Sequence, residues 1–292
     1  MTPHANTHPA PAATGITPGP HTSHTIEAGG LKLHTLDYGT AGRPAMLCVH
    51  GGAAHGHWFD FVAPAFTADY HVRALDQRGH GDSEWGPATD YTYDRYAADL
   101  AEVVEKLDLR DFVLVGHSMG GMVSVVYAAT YPGRLAKLIV IDSLVRMRED
   151  RVAALRGVGS REGSSYATQA EFIERYRLRP AGTQATPEVI RHLAQCGARQ
   201  FPDGRWRHKF DRNVYATREP WEGLPFWARI KVPVQLIKGA LSPRLSPEIV
   251  AEIRAHCPQV AFVEIPDSDH HVTLDQPAAC AQAMRTFLNA AR

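Results

Sequence analysis

The feature that most constrains the fold is an apolar segment at residues 113–115 that runs into Gly-His-Ser-Met-Gly at 116–120 and then into a helical pattern. This order predicts a sharp strand-to-helix turn with Ser118 at its tip, a nucleophile elbow. Gly116 and Gly120 omit the side chains that would collide as the strand and the helix close together. Ser118 would lie exposed at a helix N-terminus, where free backbone N–H groups stabilise negative charge.

Two other segments support the interpretation of Gly-His-Ser-Met-Gly as a nucleophile elbow. An apolar strand at residues 45–49 ends in His-Gly-Gly-Ala at 50–53, and glycine there lets a backbone N–H approach a ligand closely. A strand at residues 260–265 is followed by a loop that contains His270, the candidate general base. The chain order, with serine first and histidine last, suits a parallel sheet that carries its reactive groups at one edge.

In these segments the chain resembles the α/β-hydrolase superfamily, particularly its esterase and haloperoxidase-like members. The motifs that match are His-Gly-Gly at 50–52, Leu-Asp-Gln-Arg-Gly-His-Gly-Asp-Ser at 75–83, the elbow, and His270 followed by Leu-Asp-Gln-Pro at 274–277. The resemblance covers roughly residues 24–143 and 231–292. It implies the α/β-hydrolase fold, a mostly parallel sheet flanked by helices, with a helical cap inserted after the sixth strand.

The resemblance also implies an acidic residue after the seventh strand, but Ser242 occupies that position and the next carboxylate is Glu248. A neutral hydroxyl cannot stabilise an imidazolium as a carboxylate does. Asp142 is the favoured replacement because it ends the preceding strand on the same edge as Ser118, as in some members of the superfamily. The alternative is that Asp142 only hydrogen-bonds a loop, as aspartates at strand ends commonly do.

The base has a rival in His271, the next residue along the chain. The spacing to the Leu-Asp-Gln-Pro motif assigns the base to His270 and leaves His271 as a packing residue. His117, inside the elbow, is expected to be a structural neighbour. The charged residues of the motif at 75–83 are interpreted as scaffold, because charges in tight turns usually hold loops by hydrogen bonds; they are Asp76, Arg78 and Asp82.

Composition excludes several other classes of protein. Lys+Arg and Asp+Glu both total 31, so the chain lacks the basic field that nucleic-acid binding usually needs, and no nucleic-acid partner is expected. The four cysteines lack paired spacing, which suggests neither a disulfide framework nor a zinc motif. No apolar run is long enough to span a membrane, and the N-terminus lacks the apolar segment of a signal peptide. The expectation is a cytoplasmic enzyme without a membrane partner, a metal or a cofactor.

The chain divides into three predicted parts. Residues 1–22 are rich in Pro, Ala, Thr and His and predict a disordered tail, whose histidines offer at most adventitious metal binding. Residues 23–143 and 231–292 form the catalytic core. Residues 144–230 are far more than a simple crossover needs and predict a mainly helical cap that encloses a pocket.

The cap holds more Lys and Arg than Asp and Glu, whereas the remainder of the chain has the opposite balance. Electrostatic docking of a solvated cap on an acidic core is favoured over attraction of an anionic substrate. The cap tryptophans, Trp206, Trp221 and Trp227, could line an apolar pocket or pack helices. Trp58 is a better pocket candidate because it follows the glycine loop, although core packing explains it equally well.

Together these features predict a serine hydrolase that cleaves a small-molecule ester or lactone through an acyl-enzyme. Ser118 is the nucleophile, His270 the base and Asp142 the orienting acid. The backbone N–H groups of Met119 and Gly52 hold the oxyanion, with Ala53 the alternative to Gly52. Carbon-carbon bond hydrolysis and perhydrolysis stay open, as does a ligand-binding protein with little turnover. A serine nucleophile argues against epoxide hydrolysis and dehalogenation, and the sequence gives no oligomeric state.

Overall fold

The main sheet determines where the reactive groups can meet. In a computed structural model of the chain, which describes residues 17–290, eight strands pair in the order β1-β2-β4-β3-β5-β6-β11-β12. All pairs from β4 to β12 are parallel, and β2 pairs antiparallel with both of its neighbours. The strands are β1 Thr22–Ala28, β2 Leu31–Asp37, β3 Ala45–Val49, β4 His71–Leu75, β5 Phe112–His117, β6 Leu135–Ile141, β11 Val234–Gly239 and β12 Val260–Ile265.

The central strands are continuous apolar runs because both faces of the sheet are covered. Along β3, Leu47 and Val49 belong to one buried cluster, while Met46 and Cys48 belong to the cluster on the opposite face. The helices of the core are α1 Tyr93–Lys106, α2 Met119–Thr130, α8 Pro247–His256, α9 Val272–Asp275 and α10 Pro277–Asn289. The observed architecture is the α/β-hydrolase fold predicted from the sequence.

The segment at residues 144–230 contains five helices and two small antiparallel sheets. The helices are α3 Glu149–Gly159, α4 Gln169–Arg175, α5 Pro187–Gly197, α6 Asn213–Ala216 and α7 Leu224–Trp227. The short strands, which the sequence did not indicate, pair β7 with β10 and β8 with β9: β7 Arg146–Met147, β8 Ala198–Gln200, β9 Trp206–His208 and β10 Trp221–Glu222.

Polar contacts connect this cap segment to the core. Asp82 of the core pairs with Arg199 and Lys209 of the cap, at 3.2 and 2.6 Å. The Tyr91 hydroxyl donates to the Asp211 carboxylate at 2.5 Å. Two of these three contacts are ion pairs between an acid of the core and bases of the cap segment.

The predicted tail lies largely outside the described residues, and the first strand begins at Thr22. Within residues 17–290, no helix has both the length and the apolar character needed to cross a membrane.

Candidate active site

Ser118 lies at the tip of the turn between β5 and α2, in a strained backbone conformation with φ 54° and ψ −119°. A non-glycine residue with positive φ is uncommon, and such strain concentrates at functional sites. The flanking glycines explain how the turn closes so tightly. A Cβ atom on Gly116 would lie 2.5 Å from the carbonyl oxygen of Gly120, and one on Gly120 would lie 2.2 Å from that of Val49. Both contacts are with backbone, so the turn tolerates no side chain at either position.

The structure brings three of the predicted site residues into one chain of hydrogen bonds. Nε2 of His270 lies 3.0 Å from Oγ of Ser118, and Nδ1 of His270 lies 2.6 Å from Oδ2 of Asp142. The carboxylate therefore fixes the ring so that Nδ1 donates to it and Nε2 is free to accept the serine proton. His270 and Asp142 are 3% and 0% exposed, so bulk water does not compete for these contacts.

Ser242, at the position where the resemblance implies an acid, hydrogen-bonds the acid of the neighbouring strand. Its hydroxyl donates to Oδ2 of Asp142 at 2.7 Å, and the backbone N–H of Gly239 donates to Oδ1 at 3.3 Å. Arg244 places a guanidinium nitrogen 3.9 Å from the same carboxylate. Residues at and after the end of β11 therefore donate hydrogen bonds to the carboxylate of Asp142, the residue that follows β6.

Burial and nearby charges set the protonation of the histidine. Burial lowers the pKa of His270 well below its usual 6.5, and the positive charges of Arg244 and Arg151 act in the same direction. Burial raises the pKa of Asp142, while hydrogen bonds from Ser242 and Gly239 and the charge of Arg244 oppose that shift. His270 is therefore neutral at pH 7, which is the form that can accept a proton.

The glycine loop passes directly beside the serine. A Cβ atom on Gly51 would lie 3.0 Å from Cβ of Ser118, so a side chain there would crowd the nucleophile. Gly52, Ala53 and Met119 all line the same cavity as Ser118. Among the described residues no acceptor bonds the N–H of Gly52, Ala53 or Met119. Met119 begins α2, so its N–H also lies at the positive end of a helix.

The two neighbouring histidines hold the loop that carries His270. Nε2 of His117 donates to the carbonyl oxygen of His270 at 2.9 Å, and Nε2 of His271 donates to the carbonyl oxygen of Pro180 in the cap at 2.9 Å. Neither ring makes a hydrogen bond with Ser118. Arg78, one of the predicted scaffold residues, also makes a structural contact. Its side chain is fully buried, and its Nε lies 2.5 Å from Oδ2 of Asp99.

A cavity of about 500 Å³ opens over Ser118 between the core and the cap segment. Trp58 lines it and is 4% exposed, whereas the three cap tryptophans are not among the lining residues. Trp227 is instead 2% exposed within the apolar cluster beside α2. Of the two explanations left open for the cap tryptophans, packing fits Trp227.

Several residues that line the cavity escaped the sequence analysis. The Tyr215 hydroxyl lies 2.9 Å from where a Cβ atom of Gly52 would be, which places a polar group beside the candidate oxyanion site. Seven arginines line the cavity against only two acids, Glu162 and Asp211; they are Arg151, Arg177, Arg179, Arg207, Arg212, Arg218 and Arg244. The excess of Arg and Lys in the cap was the sequence feature that pointed to them. It does not distinguish arginines that face the cavity from those that face solvent.

Arg218 is the most informative of them because it is 2% exposed and pairs with no acidic residue within the described range 17–290. One of its nitrogens lies 3.2 Å from Sδ of Met119, and its guanidinium stacks 4.8 Å above the ring of Tyr93. Its Nη1 atom is buried without a hydrogen-bond partner among the described residues. A buried cation is costly unless something pairs with it, so Arg218 lacks a partner of the kind that an anion would supply.

The fold and the serine on a strand-to-helix turn define the class of protein. The family model described as alpha/beta hydrolase fold matches residues 44–277, and the chain therefore belongs to the α/β-hydrolase family. A 2-(acetamidomethylene)succinate hydrolase of Mesorhizobium japonicum is 28% identical over 92% of this chain and 95% of its own. A 3-hydroxybutyrate-oligomer hydrolase of Cupriavidus necator is 30% identical over 88% of this chain and 94% of its own.

Solved structures agree with this assignment. The crystal structure of E-2-(acetamidomethylene)succinate hydrolase superposes with a TM-score of 0.80 at 26% identity, and the match covers 92% of this chain and all of the other. The family and the names of the relatives identify the chain as a hydrolase.

Proposed function

We propose that the chain is a serine hydrolase that cleaves carboxylic esters through an acyl-enzyme intermediate. The observation that carries this proposal is the continuous hydrogen-bond chain from Ser118 through His270 to a fully buried Asp142, with distances of 3.0 and 2.6 Å. Such an arrangement activates a hydroxyl that would otherwise be a poor nucleophile.

The reaction proceeds in two halves. Ser118 Oγ attacks the substrate carbonyl while Nε2 of His270 accepts its proton, and Asp142 stabilises the imidazolium. The N–H groups of Met119 and Gly52 bind the oxyanion of the tetrahedral intermediate. The imidazolium then protonates the leaving alcohol, and a water activated by the same nitrogen hydrolyses the acyl-enzyme.

The test of this chemistry compares the wild-type chain with Ser118→Ala on a panel of p-nitrophenyl esters and lactones of graded size. The wild type should release p-nitrophenol, and Ser118→Ala should lose that activity while keeping the same circular dichroism spectrum. Quenched wild-type reactions should contain a chain heavier by the acyl group. If both proteins were equally inactive on the whole panel, a ligand-binding protein with little turnover would replace this proposal.

The same serine and histidine could also serve carbon-carbon bond hydrolysis, lactone hydrolysis or perhydrolysis. Ester hydrolysis is favoured because one of the relatives with near-complete coverage is named for a hydroxybutyrate oligomer, in which the units are joined by esters. A lactone cleaved much faster than any open-chain ester would move the assignment to a lactonase.

The arginines of the cavity favour a substrate whose acyl part carries a carboxylate. Arg218 offers the buried, unpartnered nitrogen described above, and it contacts Met119, the residue that follows the nucleophile. A guanidinium pairs with a carboxylate through two parallel hydrogen bonds, which also orients the substrate. The name of the Mesorhizobium japonicum relative contains succinate, a dicarboxylate, which supports the same substrate class.

A matched pair of substrates tests this preference. Monomethyl succinate and methyl butyrate differ only in a carboxylate in place of a methyl group. The wild type should favour monomethyl succinate by about 10- to 100-fold in kcat/KM, because one charge-assisted pair contributes about 1.5–3 kcal/mol. Arg218→Met should abolish most of this ratio, mainly through KM, yet still hydrolyse methyl butyrate. A ratio near one in the wild type, or an unchanged ratio in Arg218→Met, would refute the role of Arg218.

A further inference from the structure

A second cluster of reactive side chains lies at the boundary between core and cap, apart from the serine cavity. It consists of His57 and Asp60 from the turn after β3, and His192 and Cys196 from helix α5 of the cap. None of the four lines the cavity over Ser118. We call this group the boundary cluster.

The ligand atoms of the boundary cluster converge on one point. One atom from each residue lies within 4.8 Å of each of the others. Nδ1 of His57 and Nε2 of His192 approach the same oxygen, Oδ2 of Asp60, at 2.8 and 2.6 Å. Sγ of Cys196 lies 3.7 Å from that same Nε2 of His192.

Hydrogen bonds alone do not satisfy all the polar atoms that converge in the boundary cluster. A ring nitrogen has one proton or one lone pair in the plane of the ring, so Nε2 of His192 cannot bond both Asp60 and Cys196 at full strength. A cation at the point of convergence could instead accept a lone pair from all four residues. The helical spacing supports this arrangement, because His192 and Cys196 are four residues apart and so lie on the same face of α5.

The surroundings of Asp60 match those of a metal-binding carboxylate. Its side chain is fully buried, and its second oxygen, Oδ1, accepts a hydrogen bond from the Tyr38 hydroxyl at 2.5 Å. Outer contacts of this kind orient a carboxylate so that its free oxygen faces the metal. Aromatic rings surround the cluster, with Phe61 5.4 Å from the His192 ring and His21 5.1 Å from the His57 ring.

We propose that the boundary cluster binds one Zn²⁺ ion that joins helix α5 of the cap to the turn after β3. Two imidazoles, one thiolate and one carboxylate are a complete tetrahedral donor set for zinc. Bond lengths of about 2.0–2.3 Å separate ligand atoms in such a site by about 3.2–3.8 Å. The atoms that now lie 2.6 and 2.8 Å apart must therefore separate by about half an ångström, and a pair as far apart as 4.8 Å must approach by about 1 Å. The two negative ligands neutralise the ion. Because all four positions are filled by protein, the site is structural.

The test uses the full chain, purified without a histidine tag, stripped with a chelator and titrated with Co²⁺ as a spectroscopic substitute for Zn²⁺. We expect one Co²⁺ per chain, the intense visible absorption of tetrahedral cobalt and a near-ultraviolet thiolate-to-cobalt charge-transfer band. Zn²⁺ should displace the cobalt and raise the melting temperature, because a ligand that binds only the folded state stabilises it.

Variants assign the signal to particular residues. Cys196→Ser should lose the charge-transfer band, and His192→Gln should bind Co²⁺ at least about tenfold more weakly. Cys257→Ser, which removes a buried cysteine that is not part of the cluster, is the matched control and should keep the band. The double variant His4→Gln/His8→Gln should keep it too, which separates the cluster from adventitious binding by the N-terminal histidines.

Three results would overturn the proposal. They are a stripped wild-type chain that gives no thiolate-to-cobalt band, a band that persists unchanged in Cys196→Ser, and equal Co²⁺ affinity in His192→Gln and wild type. Weakly absorbing octahedral cobalt that disappears in the His4→Gln/His8→Gln variant would show adventitious binding only. None of these measurements depends on hydrolytic activity, so they stand apart from the proposed ester hydrolysis.

Discussion

At the scale of single residues, the candidate acid, Asp142, follows a strand next to the one that the family resemblance implies. Asp142 follows β6, and Ser242 follows β11, yet their side chains are in hydrogen-bond contact at 2.7 Å. The two strands are parallel neighbours, so their C-terminal ends deliver side chains to nearly the same place. We therefore expect a carboxylate at the end of either strand to be able to reach His270.

This proximity makes a rescue experiment possible. Asp142→Asn should lower kcat by about 10³- to 10⁴-fold, because an amide cannot stabilise the imidazolium and holds the ring in the wrong tautomer. The double variant Asp142→Asn/Ser242→Asp should regain at least about tenfold, since its new carboxylate starts from the position of the serine hydroxyl. Steady-state kinetics on the best ester of the panel provide the measurement.

The control for the rescue is Ser242→Ala, which removes one hydrogen bond to Asp142 and should cost about tenfold or less. Full activity in Asp142→Asn would assign the acid to another residue and leave Asp142 with only its loop contacts. A double variant no better than Asp142→Asn would show that a carboxylate on β11 cannot reach the ring.

The candidate catalytic residues could be predicted from sequence, and the residues proposed to bind a carboxylate or a metal ion could not. Ser118 and His270 occur within local motifs whose spacing is visible along the chain. Asp142 was predicted because Ser242 occupies the position where the resemblance implies an acid, and because parallel strands end at one edge of the sheet. Arg218 reaches the elbow, and Cys196 reaches Asp60, across more than 90 residues of sequence through the packing of the cap, which has no motif of its own.

At the scale of elements, the close approach of β3 and α2 builds the candidate oxyanion site. The end of β3 leads into the glycine loop, and the first turn of α2 carries Ser118 and Met119 beside it. Gly120 makes this possible, because its Cα faces the carbonyl oxygens of both Val49 and His50. The spacing between strand and helix is therefore set by the absence of one side chain.

Replacement of this glycine should be far more damaging than replacement of an exposed one. In Gly120→Ala the new methyl group would lie 2.2 Å from the backbone of β3, and we expect a loss of about 3 kcal/mol in the free energy of unfolding. Gly133→Ala is the control, because nothing lies within 4 Å of its added Cβ atom, and it should change stability by about 0.5 kcal/mol or less. Urea unfolding followed by fluorescence compares them; equal midpoints would contradict this account of the elbow.

Strands and helices could be predicted from sequence where their apolar pattern extends over four or more residues. The apolar runs that became β3, β5, β6, β11 and β12 were recognised because buried parallel strands are continuous apolar segments. Helices α4 and α5 were recognised from their spacing. The strands β7 to β10 have only two or three residues each, fewer than alternation needs to be visible, and their pairing depends on the tertiary structure of the cap.

At the scale of the whole molecule, histidine burial connects stability to pH. Burial is the largest cause of a lowered pKa in six histidines outside the boundary cluster and the triad: His50, His55, His80, His117, His208 and His271. His208 has a pKa of about 4, because burial and the charges of Arg179 and Arg212 all oppose protonation. In the folded chain these rings remain neutral at pH values where the unfolded chain takes up protons.

The sign of the effect follows from proton linkage. Between the folded-state pKa and the unfolded value of about 6.5, only the unfolded state gains a proton at such a ring, so the stabilisation is present above pH 6.5 and is lost as the pH falls. Each ring contributes a slope of about 1.4 kcal/mol per pH unit within its own interval.

The free energy of unfolding, measured by urea titration from pH 7.5 to 4.5, should therefore fall steeply with acidification. In His208→Gln the free energy of unfolding should depend less steeply on pH between about pH 6 and 4. The difference should equal the contribution of one proton, about 1.4 kcal/mol per pH unit, whatever change the substitution causes in stability at pH 7.5. A flat profile, or a slope in His208→Gln equal to that of the wild type, would mean that the rings become protonated inside the folded chain.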